Sequence, residues 1–267
     1  MPVRTRRLLP LLIGLALLLP AAVPAPATAS TASDAESILL KAVNYERTRR
    51  GLVQMRVDSR LYAIARDRSE YQASRDIGSH THSGGRTVFD LIQSAGIKWY
   101  AAGEIIAQNR YYPSITESAK AAVRGWLNSP THRSILLSKG YNYIGLGYAM
   151  NSGSERRYWT GVFMKGPDRT RPYAVMGSVS KRTEGSLVKV TIRWSGGDRR
   201  LQVLTSGFRY FQVQRRRAGG TWSNWGTPTT RTTRTVGWGR NTTHEVRVRS
   251  RDRAGHYSPW VSVTIRT

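Results

Sequence analysis

The sequence predicts an α+β first half followed by an all-β second half, and three observations carry that division. Apolar residues recur at helical spacing between residues 35 and 127, and at every second position between 188 and 265. Charge steps up between the two patterns. Residues 30–168 hold 19 basic and 12 acidic side chains, whereas residues 169–267 hold 20 basic and 4 acidic. Gly166-Pro167-Asp168 marks the border, with Pro172 and Gly177 just beyond it. The domains expected are 30–168 and 169–267, behind a leader of residues 1–29.

The leader reading rests on Arg4, Arg6 and Arg7 before an apolar run from Leu8 to Leu19, with small residues at Ala27-Thr28-Ala29. The run is shorter than the roughly 20 residues that span a bilayer. Thr5-Arg6-Arg7-Leu8-Leu9 also resembles a loose twin-arginine signal, so the export route stays open between the general and twin-arginine pathways. Export makes the absence of cysteine informative, because the fold must then rest on packing without disulfides.

In the first half, Ala35 to Arg50 sets Ile38, Leu39, Ala42 and Tyr45 on one helical face, with Gly51 as the stop. Asp58 caps a second helix carrying Leu61, Ile64, Ala65 and Tyr71 toward a core and ending at Gly78. Thr87 to Ser94 forms a short third helix, stopped by Gly96. Thr116 caps a fourth, with Ala119, Val123, Trp126 and Leu127 aligned. Strands fit Ala102–Gln108, Tyr143–Met150 and Tyr158–Met164. Helices interrupted by a few antiparallel strands imply layers around one sheet.

Three of the five histidines fall between Ser79 and Leu136, with a glutamate among them. The segments are Ser79-His80-Thr81-His82, Gly103-Glu104-Ile105-Ile106-Ala107 and Trp126 through His132-Arg133 to Ile135-Leu136. Histidine and carboxylate are the groups that bind divalent metals and move protons near neutral pH. In order and surroundings these segments resemble the CAP family, also called the SCP-like extracellular domain. The absence of cysteine places the likeness with its bacterial branch. The resemblance implies an α-β-α sandwich over roughly residues 35–166. It also implies a cleft shared by two His and two acidic residues, which holds a divalent metal such as zinc in some members. His132 and Glu104 match the family pattern. His80 and His82 both fit the first histidine, and they point the same way along an extended backbone. The family's second Glu has no counterpart in Ala121–Gly125, and Glu117 lies two turns earlier. His80, His82, Glu104 and His132 are therefore the candidate metal ligands, and His80, Glu104 and His132 the candidate catalytic residues. A structural pairing of Glu104 with a histidine is the plainer alternative.

In the second half, Val188, Val190, Ile192 and Trp194 alternate with polar residues, as do Phe211 and Val213, Val246 and Val248, and Val261, Val263 and Ile265. This is the pattern of an antiparallel sandwich with one wet face. Tyr210 to Arg216 and Val246 to Trp260 resemble fibronectin type III, with His244 where that family usually has Tyr. Arg193, Arg215, Arg217, Arg247 and Arg249 fall on or near outward faces. Trp222, Trp225 and Trp238 lie in Gly- and Thr-rich segments that can expose a ring. Such a surface suits an anionic envelope polymer or lipid, or it serves solubility alone. Arginine beside exposed rings also suits nucleic acid, a reading that export disfavours.

No Cys nucleophile, Walker loop, HExxH helix or GxSxG elbow competes with the cleft. The expectation is a secreted, extracellular or cell-wall-associated CAP-domain protein that binds a cleft ligand and is tethered by a basic sandwich. Two alternatives stand beside it. One is a metal-dependent hydrolase of peptide or wall material, with Glu104 as base and the histidines holding the metal. The other is a lipid or sterol carrier, since CAP relatives bind sterols in apolar grooves.

Overall fold

The computed structural model describes residues 28–267, so nearly all of the expected leader lies outside the described residues. The first half contains α1 (Thr28–Thr48), β1 (Arg56–Val57), α2 (Ser59–Arg75), α3 (Val88–Ser94), β2 (Ala101–Asn109), α4 (Ile115–Asn128), α5 (Pro130–Leu136), β3 (Tyr143–Asn151) and β4 (Arg156–Lys165). The sheet order is β1-β3-β4-β2, antiparallel except for the short parallel β1/β3 pair. Pleating sends Ile105, Ile144, Leu146, Trp159 and Phe163 to one face, against α1, α4 and α5. Tyr143, Val162 and Met164 go to the other, against α2 and α3. Three layers result, with a core on each side of the sheet.

Local chemistry sets the helix ends. Asp58 accepts from Arg60 N at 3.0 Å and starts α2, as expected. That helix stops three residues earlier than Gly78, because Asp76 takes the left-handed conformation (φ 54°). Thr87 and Asp90 make a reciprocal capping box on α3. The cap of α4 is Ser114 rather than Thr116, accepting from Glu117 N at 3.1 Å. Helix α1 is turned from the expected face. It buries Ala35, Leu39, Val43 and Arg47, while Tyr45 is 65% exposed. Arg47 explains the turn. Its guanidinium donates to the Val53, Leu136 and Ser138 carbonyls at 3.1, 2.7 and 3.1 Å, tying α1 to the end of α5. Burial pulls its pKa down to about 10.

The second half is a pair of antiparallel sheets formed by β5 (Tyr173–Glu184), β6 (Leu187–Gly197), β7 (Phe208–Arg217), β8 (Ser223–Asn224), β9 (Thr233–Gly239), β10 (Thr243–Asp252) and β11 (Val261–Arg266). Their orders are β5-β6-β9 and β11-β10-β7-β8. The expected alternation holds, with Val188, Val190, Ile192, Trp194, Phe211, Val213, Val246, Val248 and Ile265 forming the shared core. One expectation shifts. Trp238 is 7% exposed, stacked on His244 at 4.1 Å between ring centroids. Arg215 and Arg217 are exposed as expected, although they share the strand parity of buried Phe211 and Val213, and the half-buried Arg216 lies on the opposite face of the sheet.

The loop between β6 and β7 returns to the first half. Leu201, 2% exposed, enters the cluster of Leu61, Ile64, Tyr143 and Met164. Gln202 Oε1 accepts from Val53 N at 2.8 Å, and Asn142 Nδ2 donates to Val203 O at 3.1 Å. Arg169 pairs with Asp58 at 2.8 Å. The contacts on both sides of the charge border are therefore continuous.

Close approach of α2 to the sheet depends on glycine. A Cβ on Gly145 or Gly147 meets the α2 backbone at 2.1 or 2.0 Å, at Leu61 and Ala65 respectively. Backbone cannot yield as a side-chain tip can. Gly147→Ala is therefore expected to lower the thermal midpoint sharply or prevent folding, whereas Gly125→Ala, where no atom lies within 4 Å, is expected to be tolerated. Circular dichroism melts of the two variants check this.

Candidate functional site

Helix α2 lays a polar strip across the apolar floor it covers. Leu61, Ile64 and Ala65 are followed at helical spacing by Arg68, Ser69 and Gln72, all buried. Ser69 Oγ and Gln72 Nε2 reach Thr160 Oγ1 on β4 at 3.0 and 3.1 Å. Arg68 is 0% exposed and faces Glu104 on β2, itself 7% exposed. Arg68 Nε donates to Glu104 Oε1 at 2.7 Å, and Nη2 reaches Oε2 at 3.4 Å and the Ser79 carbonyl. A buried guanidinium and carboxylate in this geometry satisfy each other's charge.

His80 completes the group. Its Nδ1 lies 2.7 Å from Glu104 Oε2, while the side chain stays 56% exposed. A carboxylate already charge-paired with Arg68 acts as acceptor, so Nδ1 carries a proton, and Nε2 is the ring nitrogen that Glu104 does not engage. His132 on α5 brings its ring to 6.3 Å from that of His80, centroid to centroid, at 42°. Partial burial, and then the positive charge His80 can carry, hold the His132 pKa below its ordinary 6.5. The result is two imidazoles side by side at the surface, over a buried ion pair.

Of the residues singled out by sequence, the structure brings His80, Glu104 and His132 together and places His82 elsewhere. His82 stacks on Tyr71 at 4.3 Å, and its Nε2 lies 3.2 Å from Asp67 Oδ2. The chain bends at His80 itself, so the two side chains do not follow one extended run, and it turns again after the extended His82, at Ser83–Gly85. Arg68 is the residue that sequence reasoning missed. Its signal was a charge on the buried face of α2, four residues after Ile64, where the helical period calls for an apolar side chain.

Glu104 is not free to ligate a divalent metal, which would be left with His80 Nε2 and His132 as its protein ligands. Both oxygens of Glu104 are engaged, one by Arg68 and one by His80, and the buried guanidinium supplies the positive charge that a metal would bring. His80 Nδ1 is committed to the same carboxylate. Among the described residues, no group of three or more His, Cys, Asp or Glu side chains is arranged to hold an ion.

The lowered His132 pKa has a signed consequence. At a pH where the unfolded chain protonates this residue, the folded chain keeps it neutral. Its contribution to stability is therefore full above about pH 6.5 and declines as pH falls toward the folded value. An NMR titration is expected to place the His132 midpoint below 6.5, and His132→Gln is expected to flatten this part of the acid limb. A midpoint above 6.5 contradicts the placement.

Comparison with known proteins agrees with this geometry. Residues 40–163 match the CAP family model, described as the cysteine-rich secretory protein family. The uncharacterized Bacillus subtilis (strain 168) protein YkwD is 31% identical over 135 residues, covering 51% of this chain and 49% of that protein. The uncharacterized membrane protein YlbC of the same strain is 30% identical over 130 residues, covering 49% and 34% respectively. The chain thus spans half or less of the length of the curated relatives it matches. Among solved structures, an extracellular protein containing an SCP domain from Bacillus anthracis str. Ames is 23% identical with a TM-score of 0.45, covering 53% of this chain and 45% of its own. An outer surface protein from Borrelia burgdorferi is 20% identical with a TM-score of 0.44, covering 50% and 93%. This chain therefore carries a CAP domain over residues 40–163 and has bacterial relatives.

Proposed function

We propose that this is a secreted, envelope-facing binding protein whose CAP cleft recognises a ligand through His80 and His132, and whose basic second half, read as a fibronectin type III-like sandwich, tethers it. The observation that carries the cleft reading is the Arg68–Glu104–His80 chain. A carboxylate bonded on both oxygens is a poor general base, because taking up a proton means giving up a buried charge-assisted bond. The imidazoles are different. His80 Nε2 is not engaged by Glu104, and the lowered pKa of His132 favours its neutral form, so the pair suits hydrogen bonding to a polar ligand. Secretion is supported by the leader pattern in residues 1–29. Among the described residues no helix is long and apolar enough to cross a membrane.

The test is metal dependence. Zinc added to the chelator-treated chain is expected to leave the melting temperature unchanged, because an ion raises it only by binding the native state. Peptide hydrolysis is expected to stay at the level of His132→Ala. A zinc-induced rise that His132→Ala abolishes, accompanied by hydrolysis, overturns this reading in favour of a metal-dependent hydrolase.

One observation favours a second reading, a lipid carrier. An apolar groove of about 580 Å³ runs between α1 and α4, lined by Ile38, Ala42, Tyr45 and Val123, with Lys41 and Lys120 at its rim. An acyl chain fits apolar walls, with its acidic head at the lysines. Solvent extraction of the purified protein followed by mass spectrometry is expected to release stoichiometric lipid if this groove is the working site. Lipid-free protein that takes up no fatty acid removes the carrier reading.

A further inference from the structure

The outer face of the β11-β10-β7-β8 sheet is built as a ladder of alternating rings and guanidinium groups. Arg247 lies between Trp222 and Trp260, at 4.3 and 4.4 Å from their ring centroids. Arg249 lies between Trp260 and Tyr257, at 4.5 and 3.9 Å. Arg251 follows over Tyr257 at 5.0 Å, and Arg216 flanks Trp222 at 4.5 Å. Strand parity explains the order. Residues 247, 249 and 251 alternate with buried Val248 and Ser250, so all three project outward about 6.8 Å apart. Their partners across the strand pair are Gln214, Gln212 and Tyr210.

Those partners fix which edge of each guanidinium remains open. Gln214 Oε1 accepts from Arg247 Nε and Nη2 at 2.8 and 2.6 Å, and Gln212 Oε1 accepts from Arg249 Nε at 2.8 Å. Arg247 Nη1 and both Arg249 Nη atoms have no protein partner among the described residues, and they are not among the buried unpartnered atoms. Trp222, Trp260 and Tyr257 are each engaged by two guanidinium groups. Rings engaged in this way are poor platforms for bases or sugars, and what the face offers is a row of held N–H edges. Arg216 is neutralised by Glu245 at 2.7 Å, which ends the row on that side.

We propose that this face binds an extended polymer carrying phosphate groups, one guanidinium edge to each anionic group along the row. The proposal rests on the tether reading above and assigns the tether to Arg247 and Arg249, Arg251 Nη1 being bonded to Tyr210 Oη at 2.9 Å. In-plane N–H forks favour oxyanions. A pre-stacked guanidinium also loses little rotamer freedom on binding. Rings already engaged by guanidinium groups count against nucleic acid held by base stacking, and the half-buried rings leave no apolar wedge for a bilayer.

The experiment titrates long-chain inorganic polyphosphate into the full chain, at low and raised salt. Binding that weakens with salt is expected. Orthophosphate at equal phosphate concentration is expected to compete poorly, since a row of edges rewards linked anions. Arg247→Lys/Arg249→Lys keeps the charge and the cation–π contacts but removes the fork, and should bind about tenfold more weakly, the loss of a charge-assisted bond. Lys189→Gln/Arg193→Gln lowers net charge on the opposite sheet and should bind as the parent does. Should the lysine variant fail to fold, guanidinium NMR signals of the parent take its place, with those of Arg247 and Arg249 expected to shift first. Equal weakening by both double variants, or no selective shift, overturns the ladder assignment and leaves the tether. Tighter binding to phosphatidylglycerol vesicles, or oligothymidylate binding that quenches tryptophan fluorescence, overturns the polymer as occupant. No binding to any anionic probe sinks the tether reading as well.

Discussion

The first half of this protein is organised around one buried ion pair. Arg68 comes from α2, Glu104 from β2 and the Ser79 carbonyl from the loop between, so three segments distant in the chain meet at a single guanidinium. Taking both charges from water costs several kcal/mol each, which the bonds of Arg68 Nε and Nη2 to Glu104 and the Ser79 carbonyl offset, while Arg68 Nη1 stays buried without a protein partner among the described residues. That requirement positions the site. With Glu104 held from below by Arg68, its second oxygen points up and fixes the ring of His80. Helix α5 then presents His132 beside it. The imidazoles are at the surface because the charges beneath them are not.

Much of this fold was legible in the sequence, for identifiable reasons. Pleating in β2, β3 and β4 and the spacing of Leu61, Ile64 and Ala65 are period signals, and the structure follows them. Polar side chains doing buried work were harder to read. Arg47 and Arg68 are charged side chains on buried helix faces, and each changed a reading: Tyr45 lies outside the core, and Glu104 is paired with a guanidinium. Short elements were also missed. The two residues of β1 and the polar edge strand β5 carry no alternation strong enough to detect. His82 was misplaced for a different reason, because the chain bends at His80, where an extended run was assumed.

In the second half, the same basic residues that charge counting singles out prove to be packing elements. Arg247 and Arg249 are half-buried, each held between two rings and pinned by a glutamine. A sheet face of this kind is covered by its own side chains, without the helix or second sheet that covers an inner face. His244, standing where a fibronectin-like corner tyrosine is usual, stacks on Trp238 and bonds to Thr242 Oγ1 at 3.0 Å. Leu201 seats the β6–β7 loop in the core beneath α2 and α3, so the sandwich is anchored to the layer that also holds Arg68.

The claim on which the account turns is that Arg68, rather than a metal ion, balances Glu104. A double-mutant cycle measures this directly, using denaturant unfolding of the parent, Arg68→Met, Glu104→Gln and the double variant. Each single change strands one buried polar partner and is expected to cost about 3–5 kcal/mol, while the double variant is expected to recover a large part of that loss. A coupling of ~2 kcal/mol or more is the result the account predicts. Additive single effects, with Arg68→Met alone near parental stability, would contradict it.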